Sequence, residues 1–536
     1  MKKVLLTLFA SIAFFGLTFA QGTSYWGDVN AHLFWNHDPV VAMVSLDNNL
    51  ILSTDNYSDY EVGAFVEING EEVFRGHGFI KYYGEFGDPY PIVEFEVYYK
   101  PLDNENELPL PVHFKMYDHS TGILYDYFTS EVSIVTQTMY NSYDFSQMPV
   151  LSFFHSFKKS ITPYSEEGGY YFISSPIGEV MAKDVVNLRS NEIDFYSFDQ
   201  MPSSGLEWVN HRDDEDYLLQ PGMGFLYANS GDGTDNPVVL TFVGAPYDGD
   251  GIVTLEKKEG PTVEFPGWNL VGNPFAQTAY ITKPFYTLDA TGSEVVAGSG
   301  NEVGAMEGVF VIATEDNEQM TFSTTPIDSK GQIVLNLSQN HDKIIDRAIV
   351  RFGGDALPKF MLDESNTKLY ISKNDNNFAV MRSSKSGKLP VNFEPSRDGV
   401  YTISGIVENM RNVKYLHLVD NQNGADIDLL RNPNYSFEAK TTDRADRFVL
   451  VFSTNFVIPT VFSKDDNDSF GFFNNGNWII NNEGDAVLQV IDVNGQILSN
   501  EEISGCISKH IEAAPGVYML RLVNGNDVKV QKIVVE

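Results

Sequence analysis

Carboxylates are the most abundant chemically able groups of this chain, 73 Asp and Glu against 36 Lys and Arg, and their spacing decides what they can do. Asp248-Gly249-Asp250-Gly251 and Asp232-Gly233-Thr234-Asp235-Asn236 present the hard oxygens that Ca²⁺ takes. Neither stretch completes a twelve-residue calcium loop, because the closing Glu is missing at its offset, and the same residues favour tight turns. Solvated turns are the first reading and Ca²⁺ the weaker one, with no other cofactor indicated. Asp426 and Asp428 share one face of an extended segment, as the two carboxylates of a glycosidase must share a cleft, yet an excess of acids makes such pairs inevitable. His417, between Leu416 and Leu418, reads as a hydrogen-bonded strand residue. Trp268 and Asn273, in Gly-Trp-Asn-Leu-Val-Gly-Asn-Pro-Phe, are the candidates for a sugar site; the competing reading buries Trp268 and makes Asn273 the cap of a turn forced by Pro274. Tyr82-Tyr83 and Tyr98-Tyr99 offer stacking faces, one of each pair to any surface. The chain has no H-E-x-x-H, G-x-S-x-G, Walker loop, C-x-x-C or strand-linked G-x-G-x-x-G. No catalytic, cofactor-binding or metal-ligating residue is assigned, and the expectation is a non-enzymatic protein.

The elements that carry these residues read as strands. Aromatic content of 13% with 43 Gly favours strands and turns over helix bundles. The expected fold is all-β, a tandem of β-sandwich (immunoglobulin-like) domains closed by a small C-terminal β-sandwich. Residues 21–152 form the first domain, with alternating strands at 42–46, 62–68, 92–99, 112–117 and 123–128 and a turn at Asn69-Gly70. Within it, Tyr60-Glu61-Val62-Gly63-Ala64-Phe65-Val66 leaves Gly63 and Ala64 small, where a strand or ring approaches closely. Arg75 there is expected to pair with Glu61 or Glu72. Residues 165–326 carry an internal duplication, 168–246 and 266–325. Gly169-Tyr170 through Pro176-Ile177 aligns with Gly267-Trp268 through Pro274-Phe275, then Phe195 with Phe285, Gly224 with Gly308, and Leu240-Thr241-Phe242 with Met320-Thr321-Phe322. A sandwich at 331–453 follows, then a linker at 454–468 rich in acids, and a last domain at 469–536.

Both ends of the sequence concern location. Met1-Lys2-Lys3, the apolar run Val4 to Leu17 and Thr18-Phe19-Ala20 read as a signal peptide cleaved between Ala20 and Gln21. No apolar run after residue 20 is long enough to be a transmembrane segment. A net charge of −37 excludes nucleic acid and anionic membranes as partners. The single Cys, Cys506, excludes an intramolecular disulfide. The last segment alternates through Val487, Gln489, Ile491 and Val493, turns at Asn494-Gly495, and ends on two strands.

Those C-terminal residues resemble the type A sorting domain of the type IX secretion system (Por secretion system) of Bacteroidetes. The resemblance rests on Asp492, Asn494 and Gly495 at the end of a strand, Pro515, Gly516, Tyr518, Leu520 and Arg521 in P-x-G-x-Y-x-L-R, and Lys532 in the terminal run. It implies export across the outer membrane of a Gram-negative cell, with the secretion machinery and its sortase-like protease as partners, cleavage of the tail, and a product attached to the surface or released. The Glu61–Gly78 segment and the motifs from Asp346 to Phe452 resemble uncharacterised Bacteroidales surface modules. The function expected is adhesion or surface structure, with a host or glycan ligand as partner; capture of carbohydrate or peptide is the alternative, and a glycoside hydrolase comes third.

Overall fold

A computed structural model describes residues 24–535 except 52–56, 84–89, 105, 131–133, 137–147, 166–167, 202–206, 340–342, 361–365, 384–385, 411–412, 455–469, 475–476, 481, 483–484, 505–506, 511–513 and 525–526. The expected cleavage point Ala20–Gln21, all of the linker 454–468 but its first residue, and Cys506 therefore lie outside the described residues. Strands dominate the rest, and the chain is a series of β-sandwich units. It divides into two compact units: one of residues up to Phe157 with Val243–Ala245, the other of Lys158–Phe242 with Pro246–Glu536.

The first unit is one nine-stranded sheet, in the order Ile123–Tyr125, Val112–Asp118, Tyr57–Ile68, Glu71–Tyr83, Tyr90–Pro101, Phe34–Leu46, Val150–Phe154, Tyr127–Ser130, with Asn49–Leu50 beside Phe34–Leu46. Alternation puts Val62, Ala64 and Val66 of one strand, Val93, Phe95 and Val97 of another and Phe114 and Met116 of a third on the same core face. Asn69 and Gly70 both take positive φ, 54° and 81°, which makes the tight hairpin turn that the Asn-Gly pair specifies. Glu71–Tyr83 was not among the expected strands. Its middle, Arg75-Gly76-His77-Gly78, lacks apolar alternation, and its ladder with Tyr57–Ile68 decides its conformation instead.

The duplication at Gly168–Thr325 is visible as one strand order used twice. Tyr171–Ile173, Phe225–Asn229, Ile193–Phe198 and Trp208–Asn210 make a four-stranded sheet; Trp268–Gly272, Gly308–Ile312, Tyr286–Leu288 and Val295–Ala297 make its counterpart in the same order. Two-stranded pairs accompany each sheet, Val180–Met181 with Leu218–Leu219 and Ala279–Tyr280 with Glu302–Val303. Each copy also starts one strand before its shared motif, at Ser156–Ile161 and at Ile252–Leu255. Those strands have no residue pattern in common, so the sequence comparison starts later.

The two copies meet about a local two-fold axis. The N–H of Ser174 donates to Met306 O at 3.3 Å and that of Gly272 to Gly222 O at 2.9 Å, and the bridges Ile173–Glu307 and Met223–Val271 repeat the same exchange. These contacts explain the small residues of the motif. A Cβ on Gly272 would lie 2.4 Å from Met223 O, and one on Gly224 2.6 Å from Val271 O, so close backbone approach excludes any side chain.

The next sheet has eleven strands, in the order Ala425–Asp428, Tyr415–Asp420, Phe448–Ser453, Ser386–Glu394, Lys368–Lys373, Asn376–Arg382, Lys343–Arg351, Gln332–Gln339, Gly399–Glu408, Asn434–Ala439, with Leu357–Pro358 on Asn376–Arg382. Ile333, Leu335, Leu337, Phe393 and Phe448 fill its own core. The alternate residues Val334 and Ile349, with Leu357 and Phe360, are buried with Trp268, Tyr286 and Phe310 of the second copy. Gln332–Gln339 is thus covered on both faces, and Gln332 through Leu337 are all buried. The expected boundary at 326–331 is a short connection inside one packed body.

The last domain has its own core. Gly471–Asn474, Asn477–Ile480 and Ile507–His510 form one sheet; Ile497–Ser504, Asp485–Asp492, Gly516–Asn524 and Asp527–Val535 form the other. Trp478, Leu488, Val490, Leu520 and Leu522 are buried in the core they share.

Candidate docking face of the C-terminal domain

The tail residues divide by what they touch. Asp492 ends its strand, and its carboxylate accepts the N–H of Asn494 at 2.9 Å and of Gln496 at 2.8 Å. Those backbone bonds hold its carboxyl below the usual Asp range. Gly495 follows at φ 81°, so Asp, Asn and Gly together are a turn device. Tyr518 is buried, donates its hydroxyl to Ala514 O at 2.7 Å and meets Trp478 edge-on with centroids 5.3 Å apart. This bond fixes the corner at Pro515-Gly516, where the strand Gly516–Asn524 begins. Leu520 is fully buried.

Arg521 and Lys532 differ from these, because both point to the outer face of the sheet. Arg521 donates to Gln489 Oε1 at 2.9 Å, and Lys532 is exposed opposite Met519. Around them Met519, Val528, Val530 and Val534 are 41–61% exposed. The outermost strand, Asp527–Val535, is paired on one side only among the described residues. An apolar face carrying two cations beside a free edge is a surface suited to strand addition or to an acidic-rimmed partner.

The residues singled out elsewhere by sequence go mostly to packing. Asn273 is fully buried; its amide donates to Gln277 O at 2.8 Å and to Val303 O and Gly304 O at 3.0 Å, while its oxygen accepts the Phe275 N–H. Trp268 stacks on Phe360 at 4.1 Å inside the core. Neither faces a ligand surface. Asp232 and Asp250 each accept a backbone N–H two residues on, from Thr234 and Ile252. His417 bonds Asp426 at 2.7 Å and stacks on Tyr415, and Asp428 accepts the Leu430 N–H. Tyr82 and Tyr99 are buried, whereas Tyr83 is exposed and Tyr98 half-buried, as opposite strand faces require.

Arg75 is paired otherwise than expected. Its partner is Glu107, at 2.5 Å with both side chains buried, not Glu61 or Glu72. Glu72 pairs with Lys115 and His113 on the exposed face. The ladder with Tyr57–Ile68 shifts register at Arg75, between the pairs Ala64–Gly76 and Phe65–Phe74, and Glu107 comes from a loop whose path no local pattern reveals.

Glu61 has a different task that the sequence did not disclose. Its carboxylate is fully buried and is met by His77 Nδ1 at 2.7 Å, His119 Nε2 at 2.8 Å, the Tyr25 N–H at 2.8 Å and the Ser24 hydroxyl. Burial pushes its carboxyl up, but the bonds from His77, Ser24, Tyr25 and His119 outweigh burial and hold it at about 2. The bond to Glu61 raises His77 against the opposing effect of burial. A depressed Glu61 adds stability above its unfolded value of 4.5 that is lost as pH falls through about 2. A raised His77 adds stability below 6.5 that is lost as pH rises through its folded value. The melting temperature of the first unit should therefore peak between about pH 4.5 and 6.5, and Glu61→Gln should flatten both limbs. A pH profile unchanged by the substitution would refute this role.

Similarity to known proteins adds little to this geometry. No family model matches the chain, and no curated protein does. One solved structure, titled "Biofilm associated protein - BSP domain", aligns over 95% of this chain and 97% of its own at 8% identity and a TM-score of 0.13, an overlap too slight to carry an argument. Among the described residues no helix is long and apolar enough to cross a membrane.

Proposed function

We propose that the domain from Phe470 to Val535 is the address by which this chain is exported through a type IX secretion system, and that the preceding β-sandwich units act outside the cell in adhesion or surface structure, without catalysis. The observation that carries the reading is the division of labour in the tail. Asp492, Gly495, Tyr518 and Leu520 build the core and its turns, while Arg521, Lys532 and the exposed valines lie on the outer face, outside that core. A transport machine can read such a face and its free edge. The acidic balance of the whole chain suits an extracellular surface protein that must not adhere to anionic lipid.

The carboxylates elsewhere support the non-catalytic part. An open cleft of about 460 Å³ gathers Asp398, Glu438 and Asp443 beside Lys440. Asp398 is engaged by Thr441 N–H, and Asp443 by Lys440 N–H and Arg447, so two of the three acids hold the loop together. The test is mass spectrometry of the extracellular product from its native host. The expected form begins at Gln21 and ends near Asp465–Ser469. An extracellular chain retaining Glu536 would contradict processing by this route.

A further inference from the structure

Ser24–Asp28 lies on the sheet of the first unit as a plug rather than as a strand. Trp26 is seated over Gly63, where a Cβ would stand 2.8 Å from the ring, and its flanks are Phe65 and Phe74, with centroids 5.7 and 6.3 Å away. Tyr25 stacks on Tyr117 at 3.8 Å, and Glu61 takes the Tyr25 N–H and the Ser24 hydroxyl. No ladder bonds fix residues 24–30. The connector that follows has Gly27 at φ 78° with open space around it, and Asp28, Asn30, Ala31, His32 and Leu33 are exposed. Among the described residues the connector is held only by Asp28 Oδ1 on His77 Nε2 at 3.3 Å and by Leu33 O, which accepts the Leu102 N–H at 2.8 Å; side-chain insertion at one end and so lightly tied a connector at the other are what allow an arm to leave as a unit.

We propose that this plug is exchangeable, so that the seat formed by Glu61, Gly63, Phe65, Phe74 and Tyr117 binds the Ser24–Asp28 segment of a second copy of this chain. The complementarity is already present, because the seat is filled by the identical segment in cis. Reciprocal exchange uses the same patch on both molecules and closes as a two-fold dimer. The tethered plug competes at an effective concentration on the order of millimolar, so exchange belongs where copies are held at comparable density. Surface display provides that density, and in this respect the inference rests on the proposed function; the seat itself is tested on purified protein and owes nothing to the export route.

The experiment uses the mature chain with Ser24–Asp28 deleted, which leaves the seat empty, titrated with a synthetic peptide of residues 21–30. A 1:1 complex is expected, weakened about 30-fold or more when the peptide carries Trp26→Ala, as for a buried aromatic anchor. Mixed with the Gly63→Ala chain, whose own plug is displaced, the deleted chain should elute as a heterodimer, and adding Trp26→Ala to the donor should abolish it. Failure of the folded deletion chain to bind the peptide at 1 mM, on the order of the tethered plug's own effective concentration, overturns the proposal, as does equal binding of the Trp26→Ala peptide. If the deleted chain does not fold, beads densely coated with the full mature chain provide the readout. Clustering that free peptide inhibits and Trp26→Ala removes supports exchange; beads that stay dispersed refute it.

Discussion

Asp420→Ala should destabilise the larger unit by about 3–5 kcal/mol, because it takes from a buried guanidinium the nearer of its two carboxylates. Arg447 and Asp420 are 3% and 0% exposed. Arg447 gives Asp420 three contacts of 2.8–3.2 Å, donates to Glu438 O at 2.9 Å and lies over the Phe437 ring at 4.4 Å. Asp420 also accepts the Tyr435 hydroxyl at 2.9 Å and the Gln422 N–H. Removing the carboxylate leaves the cation only the more distant Asp443, at 3.4 Å, as counter-charge in a site that water hardly reaches, which costs more than the pair contributes. The double change Asp420→Ala with Arg447→Met should recover more than half of the loss, since it removes the poorly compensated charge. Calorimetry should show a drop on the order of 10 °C for the single variant. A single variant that melts within about 2 °C of the parent would show that the pair is solvated rather than buried.

The same pair shows where sequence reasoning stops. Strand periodicity is local, so the alternation in Tyr415–Asp420 and the apolar run Phe448–Ser453 were both legible. That Asp420 stands opposite Phe448, and so beside Arg447, depends on a register between strands 27 residues apart. Arg75 illustrates the same limit, having found Glu107 instead of the nearer candidates. The repeated motif was legible because close backbone approach constrains Gly224 and its counterpart Gly308 to the same residue type, while Gly272 has Ser174 at its matching position. The shared core of Trp268 with Phe360 was not, since either face of an apolar strand can be its buried one.

In the candidate site, legibility followed chemistry. Asp492 and Gly495 announce a turn by residue type, and Tyr518 and Leu520 announce a buried face by alternation. Arg521 and Lys532 came only with the resemblance, because a cation on an exposed strand face is ordinary. Gly63 was expected to admit a ring, and Trp26 is that ring; nothing near residue 26 indicated where it would go. Glu61 was expected, with Glu72 as the alternative, to pair with Arg75, whereas two His residues and the chain's own early segment converge on it.

The account's central claim is that the C-terminal domain is an export address. Deleting Asp485–Glu536 removes the four-stranded sheet with its outer face and leaves the sandwich units up to Ser453 intact. Fractionation of the native host expressing this truncation, with immunodetection of the first unit, is the most direct measurement. The account predicts that the protein accumulates in the periplasm, folded and protease-resistant, with none on the cell surface or in the medium. Surface display or release of the truncated chain at the level of the full-length protein would contradict it.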